Sequence, residues 1–226
     1  MAGGVTWLLS GCCGSPGDHC DASVQVFDAA GTPVPSKEFS LRVINANDFF
    51  LDEEQVKVKL GEAESILMGR DGGEDDACCV RFGLDQLRMF GDLPEFLEEE
   101  PDYNLMRPGG NPVGAFAIVK KITWCLVPKE KPTGGCTVVG QFPSVISKNQ
   151  SGLVWAHEFG HAQGHNGTGC SSPDRGGFFA LMCDGLSEPA DIRQQRTVSP
   201  TDCRTNFRRS RNVAGVISTA EGTACE

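Results

Sequence analysis

The stretch VWAHEFGHAQGHNGTGC, residues 154–170, holds three of the four histidines of this 226-residue chain. Two of them, His157 and His161, are four residues apart, which on a helix puts both side chains on one face. Two imidazoles placed in this way can share one Zn²⁺ ion. The glutamate next to the first histidine, Glu158, completes an H-E-x-x-H pattern. The stretch therefore predicts a helix that carries a zinc site.

Glu158 is the residue in this pattern that is suited to proton transfer. It follows the first histidine directly, so its carboxylate can reach the solvent-held position of a zinc ion. There it can take a proton from zinc-bound water and pass the proton to a leaving amine. The apolar segment SGLVWA at 151–156 favours a buried helix. We therefore predict a zinc metallopeptidase that hydrolyses peptide bonds, with Glu158 as general base and acid.

The residues after His161 carry a family resemblance. They extend the pattern to H-E-x-x-H-x-x-G, so the chain resembles the metzincin metallopeptidases. The resemblance implies that Gly164 ends the helix in the left-handed conformation, which glycine adopts without a Cβ penalty. It also implies that Met182, within ALMC at 180–183, lies in a turn beneath the metal.

The resemblance covers roughly residues 39–215 and implies the fold class. It predicts an α+β fold with a mixed twisted sheet, an active-site helix and a C-terminal helix that starts at Ser199. GAFAIVKKITWC at 114–125 resembles the central strand of the family. GGCTVVG at 134–140 resembles the edge strand that lines the cleft.

The segment 52–68 resembles the first helix of the same family, and its own pattern predicts a helix. Asp52 can act as the N-cap, with acidic residues in the first turn. Apolar residues recur at helical spacing and predict one buried face: Val56, Leu60, Ala63 and Leu67.

The third zinc ligand is where this chain departs from the family. In metzincins a histidine or aspartate follows three residues after the glycine, but here that position is Gly167, which has no side chain. We expect His165 to replace it through a sharp chain reversal at Gly164. On a continuous helix His165 would lie about 12 Å along the axis from His157. The alternatives are water only, or a later carboxylate: Asp174, Asp184 or Glu188.

Eleven cysteines are scattered along the chain without a C-x-x-C pair, which argues against a thioredoxin motif or a zinc ribbon. Such scatter is typical of a disulfide-bonded protein of an oxidising compartment. Cys125 and Cys136 flank a turn between two predicted strands. Cys170 and Cys183 bracket the loop after the zinc helix. We predict that both pairs form disulfides.

LSGC at residues 9–12 matches a bacterial lipobox, in which Cys12 would carry a lipid. The apolar run before it is short for a signal core. We expect a secreted or extracytoplasmic protein, with a lipid anchor at Cys12 as one form of that location. We divide the chain into an N-terminal segment, 1–38, and a catalytic domain, 39–226.

The formal net charge of −10 and the lack of a basic patch argue against nucleic acid as a partner. No stretch approaches the roughly 20 apolar residues of a membrane-spanning helix. We expect a monomer that acts on a protein or peptide substrate with Zn²⁺ as cofactor. One alternative is a gluzincin- or aspzincin-type peptidase with a distant carboxylate ligand. Another is a non-catalytic, disulfide-rich surface protein of the same fold.

Overall fold

The computed structural model describes residues 37–46, 50–67, 78–169, 179–184, 196–198, 203, 207–208 and 213–218. The helices within these residues are α1 Glu53–Leu67, α2 Glu100–Leu105, a 3-10 turn Pro108–Gly110, and α3 Gly152–Ala162. The strands within them are β1 Lys37–Ala46, β2 Val80–Phe90, β3 Phe96–Leu97, β4 Phe116–Val119, β5 Lys121–Cys125, β6 Val127–Thr133, β7 Gly135–Cys136, β8 Ser144–Ser147, β9 Thr168–Gly169, β10 Phe179–Ala180, β11 Cys183–Asp184, β12 Arg196–Thr197 and β13 Val216–Ser218.

The main sheet has six strands and is mixed. One edge of β1 pairs in parallel with β2, and the other edge pairs in parallel with β4 and antiparallel with β13. β4 pairs in parallel with β8, and β8 pairs antiparallel with the edge strand β7. A smaller sheet has the order β3-β5-β6. This combination of helices and mixed sheet confirms the predicted α+β class.

Both faces of the main sheet are buried. Alternate residues of a strand face opposite sides of the sheet, and those of β4 pack in two different clusters. On β4, Phe116 and Ile118 pack in one cluster with the apolar residues of α1 and α3. Ala117 and Val119 belong to a second cluster, which includes Tyr103 of α2. The sheet thus separates a helical layer from a layer built by α2 and the smaller sheet.

α1 begins and packs as the sequence predicts. The Asp52 carboxylate accepts a hydrogen bond from the Gln55 backbone N–H at 2.8 Å. The Gln55 side-chain oxygen accepts one from the Asp52 backbone N–H at 2.9 Å. This reciprocal cap satisfies two donors that lack partners within the helix. All four predicted core residues are buried: Val56, Leu60, Ala63 and Leu67.

The segment 114–125 forms two strands rather than the predicted one. β4 lies inside the main sheet, whereas β5 belongs to the smaller sheet, and the chain changes sheet at Lys120. The Lys120 backbone N–H donates to the Glu95 carbonyl at 2.7 Å, which fixes this corner. β4 is buried throughout, whereas residues of β5 alternate between buried and more exposed positions. The single apolar run in the sequence did not indicate this change of environment.

The disulfide prediction for Cys125 and Cys136 is confirmed, and the bond joins β5 to β7. Cys78 and Cys203 form another disulfide, which the sequence did not assign. Cys183 is disulfide-bonded as well. Its predicted partner, Cys170, lies outside the described residues, so that pairing stays a prediction.

Other predictions also fall on residues that the structure does not describe. They include the segment 1–36 with Cys12, and most of the C-terminal helix expected from Ser199. In the described part of the chain, no helix is both long and apolar enough to cross a membrane.

Candidate metal centre and catalytic site

α3 carries the candidate site, and its first turn is held by α1. The Gly152 backbone N–H donates to the Glu62 carboxylate at 2.7 Å. A negative charge at this end of a helix is favourable, because the N-terminus carries partial positive charge. The two helices touch so closely that a Cβ on Gly152 would lie 2.2 Å from the Cβ of Glu62. Glycine is therefore required where α3 crosses α1.

The structure brings the first two predicted zinc ligands together. The Nε2 atoms of His157 and His161 lie 3.0 Å apart. His157 Nδ1 lies 2.8 Å from the Leu181 carbonyl oxygen, and His161 Nδ1 lies 2.9 Å from that of His165. A carbonyl only accepts, so each Nδ1 carries the proton. The two Nε2 atoms therefore face each other, while each Nδ1–H donates to a backbone carbonyl, which is the second contact that metal-binding histidines commonly make.

Glu158, the predicted proton-transfer residue, is buried on the same helix. Its carboxylate packs against the edge strand, because a Cβ on Gly135 would lie 2.4 Å from the Glu158 Oε1 atom. The Ser144 hydroxyl donates to the Glu158 backbone carbonyl at 3.0 Å. α3 is thus fixed to β8 while the Glu158 side chain reaches the edge of the main sheet.

Gly164 ends the helix as the family resemblance implied. Its φ of 103° lies in the left-handed region. The Gly164 N–H donates to the His161 carbonyl at 2.9 Å, and the His165 N–H donates to the Gly160 carbonyl at 3.0 Å. This pair of hydrogen bonds is a Schellman motif, which closes helices at a left-handed glycine. The chain therefore turns back at the predicted residue.

Met182 packs against α3 at Gly160. Its side chain is buried, and a Cβ on Gly160 would lie 2.4 Å from the Met182 sulfur. Gly160 is on the turn of α3 between the two histidines, so its missing side chain leaves the space that the sulfur fills. The residue before the methionine, Leu181, supplies the carbonyl that orients His157. The methionine turn and the histidine pair therefore form one packed unit.

His165 is close to the pair, and the contact described between them is made by its backbone carbonyl. Its backbone carbonyl accepts from His161 Nδ1, which is the ring nitrogen that points away from His157. The His165 ring is buried, with Nδ1 beside the Asn166 carbonyl and the Phe207 ring 6.4 Å away between centroids. Among the described residues, no group of three His, Cys, Asp or Glu side chains could hold a metal.

The other candidates for the third ligand lie on segments that the structure describes incompletely. Asp174 and Glu188 are outside the described residues. Asp184 is in β11, paired with Gly169 of β9, which brings its backbone beside the segment that follows α3. The choice of third ligand stays a prediction.

Tyr103 lies near the site, although no sequence pattern indicated it. Its hydroxyl donates to the Pro143 carbonyl at 3.1 Å, and the side chain is buried. Burial raises the pKa of the Tyr103 phenol, and the negative charge of Glu158 adds to the rise, while Arg107 opposes it. Because Tyr103 follows an acidic loop sequence without apolar periodicity, no sequence pattern predicted its burial.

No protein-family model matches the chain, and the search of curated proteins finds no match. Among solved structures, one chain from a structure described as "Structure of a chaperone-substrate complex" is similar at 12% identity and a TM-score of 0.45. The match covers 78% of this chain and 34% of that chain, so this chain spans about a third of its length. A likeness at that score does not establish a shared fold.

Proposed function

We propose that this protein is a zinc-dependent metallopeptidase. The observation that carries the proposal is the convergence of the His157 and His161 Nε2 atoms, 3.0 Å apart, with both Nδ1 atoms directed at carbonyl oxygens. Two imidazole nitrogens at this distance share either a proton or a metal ion. Imidazole nitrogens are preferred ligands of Zn²⁺, so the donor set fits that metal.

Four features support a metzincin-like arrangement in particular. Gly164 reverses the chain after the helix, and Met182 packs against α3 at Gly160, the residue before His161. β4 lies inside the main sheet, and the antiparallel strand β7 lies at its edge, next to Glu158. These are the positions that the family resemblance implied for the central strand and for the strand lining the cleft.

Each residue then has a defined task. His157 and His161 would hold the metal, and the Leu181 and His165 carbonyls fix the orientation of their rings. When bound, Zn²⁺ supplies Lewis acidity towards a water molecule and a substrate carbonyl. Glu158, wedged between α3 and β7, would take up a proton at its carboxylate and deliver it to the leaving amine. A peptide lying along the open edge of β7 would pass directly beside that carboxylate.

We propose one of Asp174, Asp184 and Glu188 as the third ligand rather than His165, whose backbone carbonyl is the group that contacts His161. Zinc affinity tests this assignment. Asp174→Asn, Asp184→Asn and Glu188→Gln are compared with His165→Ala, and one of the carboxylate variants should lose most of the affinity. If only His165→Ala loses most of the zinc affinity, the His165 imidazole is the third ligand.

The disulfides are compatible with an extracytoplasmic location, where we place the enzyme and its protein or peptide substrates. A lipid anchor at Cys12 remains part of this proposal. Mass spectrometry of protein from the membrane fraction tests it, since a lipidated Cys12 would be the first residue of the mature chain.

Glu158→Gln is the experiment that tests the catalytic proposal. The variant should keep about one zinc per chain, because Glu158 is next to the ligands without being one, and should lose peptide hydrolysis by a factor on the order of a hundred or more. Zinc is measured by elemental analysis and hydrolysis with a fluorogenic peptide library. Glu130→Gln is the matched control, because Glu130 is exposed on β6.

The outcome that contradicts the proposal is a wild-type protein that binds no zinc and cleaves no peptide. That result would favour the non-catalytic, disulfide-rich surface protein. A Glu158→Gln variant that binds zinc and keeps full activity would instead exclude Glu158 from proton transfer.

A further inference from the structure

A small cavity lies beside the C-terminal end of α3, and its lining includes none of His157, Glu158 and His161. Its volume is about 280 Å³. Three chain segments form its wall: the turn after α2, the loop between β7 and β8, and the residues before β13. Among its lining residues are Arg107, Gly110, Asn111, Gln141, Phe142 and Val213. This cavity is called the Arg107 pocket below.

Arg107 supplies a positive charge to the pocket, and its two hydrogen bonds are to neutral groups. One terminal nitrogen donates to the Gln141 side-chain oxygen, and the other donates to the Gly110 carbonyl at 3.1 Å. The ion pairs found among the described residues do not include Arg107. Its Nε atom is buried without a hydrogen-bond partner within the described structure.

Within the described part of the chain, no carboxylate forms an ion pair with the Arg107 guanidinium, although the formal net charge of the chain is −10. Buried donors in folded proteins almost always have a partner, from the protein, from water or from a ligand. The two contacts to neutral oxygens leave other N–H donors of the guanidinium available. The Asn111 amide, which also lines the pocket, offers a further donor. These groups together match an anion that accepts several hydrogen bonds.

The planar fork of an arginine fits the two oxygens of a carboxylate, with which it forms paired hydrogen bonds. The cavity volume is below the roughly 300–1,000 Å³ of sites for drug-sized ligands. The pocket therefore suits one small acid, or one carboxylate group of a peptide. Carboxylates outnumber other anionic groups in protein and peptide ligands.

We propose that the Arg107 pocket is a binding site for a carboxylate, held by the Arg107 guanidinium and the Asn111 amide. The site is independent of the proposed zinc chemistry, but it is connected to α3. The Gly140 N–H, in the loop that forms one wall, donates to the His161 carbonyl at 2.8 Å. A bound carboxylate would consequently order the loop that supports the end of the histidine helix.

Titration of the ¹⁵N-arginine-labelled wild-type protein with succinate tests the proposal. The Nε–H signal of Arg107 should shift and saturate with succinate, and should not shift with succinamide, which has the same size without charge. Arg107→Gln should weaken succinate binding by about tenfold or more, since charge-assisted hydrogen bonds are lost. Arg88→Gln is the matched control, because Arg88 is exposed on β2 and removes the same charge.

Comparison of a peptide with succinate identifies the source of the carboxylate. Tighter binding of a short peptide with a free C-terminus than of succinate would indicate a peptide ligand, and the reverse would indicate a small acid. Glu158 does not line the pocket, so Glu158→Gln should bind succinate as the wild type does. Succinate binding therefore tests the pocket separately from the peptidase proposal.

Equal shifts with succinate and succinamide would overturn the proposal, as would equal weakening by Arg88→Gln and Arg107→Gln. Tighter binding of inorganic phosphate than of succinate would overturn the choice of carboxylate. If Arg107→Gln does not fold, the wild-type titration and an Asn111→Leu variant still decide the question.

Discussion

Gly135 lies on the edge strand β7 with the Glu158 carboxylate packed against its backbone. An added Cβ would lie 2.4–2.6 Å from three atoms of the Glu158 side chain, which is too close for any Cβ contact. Gly135→Ala should therefore displace the carboxylate and lower kcat on the order of tenfold to a hundredfold, because small misplacements of reacting groups are costly. Zinc content should not change, since both histidines are untouched.

The neighbouring residue provides the control for that prediction. A Cβ on Gly134 would meet the end of the flexible Gln150 side chain, which can move away. Gly134→Ala should keep most of the activity. If Gly135→Ala is as active as Gly134→Ala, the contact with Glu158 has no role in catalysis.

Tyr103 is the only tyrosine of the chain, so its ionisation can be followed by ultraviolet absorbance. Its pKa is raised in the folded protein, mainly by burial. Above the unfolded pKa of about 10 the unfolded chain loses this proton while the folded chain keeps it. Ionisation of Tyr103 should therefore not change the free energy of unfolding below that pH. As pH rises above it, the free energy of unfolding should fall.

Tyr103→Phe removes the titrating group and should flatten this alkaline loss of stability. Denaturant unfolding at a series of pH values measures the effect for both proteins. A phenol that titrates in the folded protein as it does in denaturant would show that burial does not raise its pKa.

At the scale of elements, the Cys125–Cys136 disulfide ties the smaller sheet to the edge of the main sheet. The closed loop is short, with a sequence separation of 11. Replacing both cysteines by alanine should lower the free energy of unfolding by about 3 kcal/mol, through the greater entropy of the unfolded chain. Denaturant unfolding in the absence of reductant measures the difference.

The same disulfide predicts an effect on the site, because Cys136 follows Gly135 directly. Loss of the bond should lower peptidase activity more than zinc binding, since the edge strand is loosened while the histidine pair is not. A double variant with unchanged stability and activity would show that the hydrogen bonds of β7 to β8 are sufficient to hold the edge.

At the scale of the whole molecule, zinc binding should stabilise the folded chain by mass action. The site joins α3 to the methionine turn, so the ligands are close together only in the folded state. Free zinc at a hundred times its Kd should add about 2.7 kcal/mol to the free energy of unfolding. Thermal unfolding with zinc and with chelator measures the corresponding rise in Tm.

His157→Ala should abolish this zinc-dependent rise, whereas Glu158→Gln should retain it. Equal Tm values for the wild type with zinc and with chelator would mean that the folded protein does not bind the metal.

Local patterns in the sequence were enough to predict the capped helix α1 with its four core residues, while the family resemblance implied the α+β class and the end of α3 at Gly164. Local patterns also predicted the Cys125–Cys136 pair and the shared face of His157 and His161. Each of these depends on residues close together in the chain, where helix periodicity, capping and glycine conformation act directly.

Contacts between distant segments were decided only by the tertiary structure. The Glu62 cap on α3, the packing of Gly135 against Glu158 and the burial of Tyr103 each join segments that no local pattern relates. The orientation of His165 belongs to the same class. The sequence placed a third imidazole near the helix end, and the Schellman turn brings the backbone carbonyl of His165 to His161 Nδ1. These contacts depend on how the sheet and helices pack, and residue spacing alone does not predict that packing.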